Sequence, residues 1–79
     1  MIYYKLTTDV GPVYRSFDSE SYLVIELFNG TNTHKRMAKT QTLSLYNALM
    51  TKTIDSGFVE TTEEEFTLNK TEILSILNG

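Results

Sequence analysis

The run Tyr22-Leu23-Val24-Ile25-Glu26-Leu27-Phe28, followed at once by Asn29-Gly30, constrains this chain more than any other stretch. Aromatic and β-branched side chains fit a pleated, half-buried surface, and Asn-Gly readily takes the positive φ values of a two-residue hairpin turn. The pattern predicts a central strand, a tight turn at Asn29-Gly30 and a return strand from Thr31 to Ala38. In that register Phe28 faces Thr31, Glu26 faces Thr33, Val24 faces Lys35 and Tyr22 faces Met37, on the wetter side of the strand. The opposite side, with Leu23, Ile25 and Leu27, is the expected core face. Asn32, His34 and Arg36 would then lie beside those three apolar residues, a conflict that a bulge or an edge position must absorb.

Upstream, Ile2 to Thr8 alternates with the period of a strand that has one face on a core. Asp9-Val10-Gly11-Pro12 reads as a turn, Val13 to Phe17 as a short second strand and Asp18 to Ser21 as a polar connection. Downstream the period changes. Leu43, Tyr46, Leu49, Met50 and Ile54 recur at helical spacing behind the possible caps Thr40 and Thr42, and Ser56-Gly57 ends a helix over about 42–54.

Phe58 to Thr61 is a short strand candidate for the sheet edge. Thr62 and Glu65 fit a capping box, with Glu63, Glu64 and Glu65 at the positive end of a second helix. Phe66, Lys70, Ile73, Leu74 and Leu77 continue on one face, and the poor helix formers Thr67, Asn69 and Thr71 predict a break near Leu68. The fold expected is α+β: a three- to four-stranded antiparallel meander, then two helices packed on one face, with a short strand between them.

Seventy-nine residues, 41% apolar and 22% charged, make one small globular domain. Without cysteine there is no disulfide, zinc thiolate or thiol nucleophile, and one histidine makes no transition-metal set, so no cofactor or metal is expected. The first residues lack the basic and apolar regions of an export signal, and no apolar run approaches the roughly 20 residues of a membrane span, so a cytoplasmic protein is expected. The net charge of −3 divides unevenly: residues 1–41 carry +1 and residues 42–79 carry −4. Only the region of the return strand would attract a phosphate backbone.

Three sets of residues carry functional expectations. Tyr3, Tyr14, Tyr22 and Phe28 are candidates for a protein-binding or self-association surface, the three tyrosines sharing a sheet face turned away from the helices. His34, Lys35, Arg36 and Lys39 are candidates for contact with an acidic partner or with single-stranded nucleic acid, although charges on an edge strand also discourage aggregation. Glu60, Glu63, Glu64 and Glu65 would serve acid–base chemistry only if the fold brought His34 to them. Two helices in succession suggest helix-turn-helix DNA binding, but three glutamates open the second helix and argue against it. The leading expectation is a non-enzymatic protein-binding or regulatory domain acting through an exposed sheet face or edge, with an unidentified protein or a second copy as partner.

Overall fold

The computed structural model describes residues 1–78. Its element order is β1 (Ile2–Thr8), β2 (Gly11–Asp18), β3 (Leu23–Asn29), β4 (Lys35–Thr40), α1 (Leu43–Asp55), β5 (Val59–Thr61) and α2 (Glu63–Asn78). The first four strands form the antiparallel meander, and β5 returns to pair with β1, giving one five-stranded sheet in the order β4-β3-β2-β1-β5. The class is α+β.

The caps follow local chemistry. Thr42 opens α1 by accepting from the Leu45 N–H at 3.3 Å, and Thr62 opens α2 by accepting from the Glu65 N–H at 3.1 Å. No break occurs near Leu68. Asn69 donates to the Glu65 carbonyl and Thr71 to the Thr67 carbonyl one turn back, so their side chains bond to the helix they were expected to interrupt.

The β3–β4 connection differs from the two-residue turn. The strands separate at Asn29 and meet again at Lys35, leaving a five-residue loop over 30–34. Gly30 donates to the His34 carbonyl at 2.8 Å, and Asn32 rather than Gly30 takes the left-handed conformation, at φ 55°. Glycine at position 30 answers a different need. A Cβ there would lie 2.4 Å from the His34 carbonyl oxygen, closer than real Cβ atoms approach.

The longer loop displaces the return strand by five residues, an odd number, so every β4 side chain changes face. Met37 pairs with Leu27, Lys39 with Ile25 and Lys35 with Asn29, while Arg36 pairs with Phe28 and Ala38 with Glu26. The conflict on the core face disappears: Asn32 and His34 lie in the loop and Arg36 projects from the other side.

The helices divide between the two faces of the sheet rather than sharing one. Under α2, the core consists of Tyr14, Ile25, Leu27, Phe66 and Ile73, with Tyr3, Leu23 and Met37 packed against it. Under α1, Phe17 and Val24 are buried, and Tyr46 meets the Phe17 ring edge-on at 5.6 Å. Tyr14 and Phe17 are three apart in one strand and so point to opposite faces. Val24, expected on the wetter side, is 2% exposed because α1 covers it.

Candidate functional site

Each helix is tied to its sheet face by charged and polar side chains. On the α2 side, Lys5 Nζ lies 2.8 Å from Glu65 Oε2, and the Tyr14 hydroxyl donates to the same oxygen at 2.7 Å. Asn29 Nδ2 donates to Asn69 Oδ1 at 2.7 Å and to Glu72 Oε2 at 2.9 Å. Lys35 Nζ donates back to Asn29 Oδ1 and to the Gly30 carbonyl. Hydrogen bonds from Lys5 and then Tyr14 hold the Glu65 carboxyl below its ordinary pKa. Burial, and then the Glu65 carboxylate, push the Tyr14 phenol well above its ordinary value.

On the α1 side Arg15 is the organising group. Its Nε donates to Glu26 Oε2 at 2.8 Å, its Nη1 donates to Thr53 Oγ1 at 2.8 Å, and its guanidinium sits 4.6 Å from the Phe58 ring centroid. Thr53, fully buried, donates its own hydroxyl to the Leu49 carbonyl at 2.6 Å. Thr53 is a residue the helical periodicity did not single out: a polar side chain on the inward face is the signal, and Arg15 opposite it is the reason.

The candidate residues do not assemble as the sequence suggested. Tyr3 and Tyr14 lie beneath α2, Tyr3 meeting the Phe66 ring at 5.2 Å and Tyr14 being 2% exposed. The reason is that the face they share is the one α2 covers. Tyr22 sits ahead of β3 at φ 59° and lays its ring against Tyr46, whereas Phe28 is on the α1 face under the guanidinium of Arg36. The four aromatics therefore form no single patch. Glu60 and Glu63 to Glu65 stand on and beside β5, at the sheet edge opposite the one occupied by β4, so His34 is remote from them. Among the described residues no cluster of three or more histidine, aspartate or glutamate side chains is placed to hold a metal ion.

What the structure does bring together surrounds β4. This strand is the outermost on its side of the sheet, and both of its faces adjoin open grooves. On the α2 side a groove of about 450 Å³ is lined by Lys35, Leu68, Thr71, Glu72, Ser75 and Ile76. On the α1 side a smaller one of about 160 Å³ is lined by Val24, Glu26, Ala38, Thr40 and Leu49. The Thr40 hydroxyl in this second groove is buried and has no hydrogen-bond partner among the described residues.

The basic residues follow the alternation of the strand. Lys35 and Lys39 belong to the α2 side, Arg36 to the α1 side, and His34 stays in the loop with Nδ1 3.3 Å from the Thr31 carbonyl. They are arranged around an edge rather than along one binding groove. Among the described residues no helix is long and apolar enough to cross a membrane.

No family model matches this sequence, and neither curated proteins nor solved structures show a significant similarity to it.

Proposed function

We propose that this protein is a non-enzymatic binding domain that receives an extended, acidic polypeptide segment as a sixth strand along β4. The observation that carries the reading is the placement of β4: an edge strand with no further strand beside it among the described residues and a groove on each face. An added strand gains affinity from main-chain hydrogen bonds, and its side chains, alternating between faces, gain specificity from pockets on both sides. The Leu68 and Ile76 side chains offer apolar contact on one side, and Leu49 with Val24 on the other. Arg36 and Lys39, both exposed, favour acidic residues in the incoming strand.

The test is an NMR titration of labelled protein with a short extended peptide alternating valine and glutamate. Shifts should concentrate in the amides of Lys35 to Thr40 and in the methyl groups of Leu49, Leu68 and Ile76, and should weaken as salt is raised. Arg36→Glu and Lys39→Glu should each reduce the affinity. Shifts confined to other surfaces, or none at low salt, reject the reading. Tighter binding of single-stranded RNA than of the peptide at matched salt would reject it in favour of a nucleic-acid ligand.

A further inference from the structure

The two free edges of the sheet carry opposite charge. β4 and its loop supply His34, Lys35, Arg36 and Lys39 with no carboxylate among them, whereas the segment from Asp55 to Glu65 supplies Asp55, Glu60, Glu63, Glu64 and Glu65 with no cation. These segments flank the sheet at its two ends, because β5 is the strand farthest from β4. Glu65 is committed internally to Lys5 and Tyr14, but Asp55, Glu60, Glu63 and Glu64 are exposed. At a strand spacing of about 4.8 Å, the four intervals across the sheet separate the two charge sets by roughly 20 Å.

We infer that the acidic strand received by β4 is the β5 edge of a second copy of this chain. This inference rests on the edge-binding reading above and names the occupant. Pairing β4 with a second β4 would set Lys35, Arg36 and Lys39 against their own kind. Pairing β5 with β5 would do the same with Glu60, Glu63 and Glu64. Only β4 against β5 joins opposite charges, and like charges facing one another across strands are destabilising.

The faces agree as well. The pairings make β2, β4 and β5 run in one direction, with β1 and β3 opposed. A copy displaced along the sheet with its helices on the same sides therefore lays β5 parallel to β4. Glu60, whose partner on β1 is Tyr4, then projects to the α1 side where Arg36 lies; Val59, paired with Lys5, projects to the α2 side. There the 64%-exposed Val59 side chain meets the groove of Leu68 and Ile76. Such a contact uses different surfaces on the two copies, so each copy keeps one free edge and assembly continues as an open chain rather than stopping at a dimer.

Sedimentation velocity over a concentration series, at about 20 mM and again at about 500 mM salt, reads the proposal because salt screens the opposed edges. The weight-average sedimentation coefficient should rise past the dimer value without a plateau at low salt and fall back toward the monomer at high salt. The exposed-residue variants R36E/K39E and E60K/E64K should each be monomeric, with an unchanged far-ultraviolet dichroism spectrum, and an equimolar mixture of the two should recover association. A monomer at every concentration at low salt, a plateau at dimer, or failure of the mixture to associate overturns the inference. A monomeric protein that still binds the acidic peptide along β4 overturns only the identity of the occupant; failure of both overturns the edge-binding reading too.

Discussion

Leu27 of β3 stands opposite Met37 of β4, on the face that α2 covers. That pairing requires the five-residue loop, since a two-residue turn would have placed Met37 opposite Tyr22, on the other side of the sheet. The loop in turn requires Gly30, whose missing side chain leaves room for the His34 carbonyl. Gly30→Ala should therefore destabilise the fold by about 1–3 kcal/mol, the usual range for forcing an extra methyl into a filled space. Asn32→Gly, at a position already in the left-handed region, should stay within about 0.5 kcal/mol of wild type. Urea unfolding of both variants checks the contrast.

Stability should depend on pH at both ends of the scale. Glu65 has a folded pKa below its ordinary 4.5, so its contribution is present above that value and lost as pH falls through it toward the lower folded pKa. Tyr14 has a folded pKa above its ordinary 10.0; its contribution is complete below pH 10 and declines as pH rises beyond it, because only the unfolded chain ionises there readily. Unfolding midpoints measured across pH should fall in both limbs. Glu65→Gln should flatten the acid limb and Tyr14→Phe the alkaline one.

Arg15 holds α1 to the sheet through Glu26, Thr53 and Phe58. Arg15→Ala should cost about 1.5–3 kcal/mol, the scale of losing a charge-assisted hydrogen bond at a partly buried site. Hydrogen exchange should accelerate first in the amides of α1, with α2 retaining its protection. Thr53→Val should cost less, and the double variant less than the sum of the two, because both remove the same bond.

Ile73 and Leu68 lie on the same helix with opposite duties. Ile73 is wholly buried in the core under α2, and Ile73→Ala should cost about 2–5 kcal/mol. Leu68 is 61% exposed at the groove beside β4, and Leu68→Ala should change stability by less than about 0.5 kcal/mol. The same Leu68→Ala should weaken strand capture along β4, read in the peptide titration. A large stability loss would assign Leu68 to the core instead.

The candidate site was partly legible. The concentration of His34, Lys35, Arg36 and Lys39 in a strand that could lie at an edge was evident from spacing. The grooves beside that strand were not, because they arise from Leu68 and Ile76, far along the chain on α2, and from Leu49 on the other helix. The surroundings of the aromatics were not legible for a related reason: Tyr3 and Tyr14 do share a face, but nothing local says that α2 lies over it.

The sequence by itself determined the elements whose causes are local. Alternation placed β1, the flanking polar turns bounded β2, the dense apolar run placed β3, helical spacing placed α1 and α2, and the Thr42 and Thr62 hydroxyls marked where the helices begin. Tertiary structure alone decided the β3–β4 register and the distribution of helices between faces. Asn29-Gly30 is compatible with a turn of either length, and the choice rests on burying Met37 with Leu27 under α2. Phe17 and Val24 offer one apolar face, Tyr14 and Leu27 the other, and only the closing of long-range contacts assigns a helix to each.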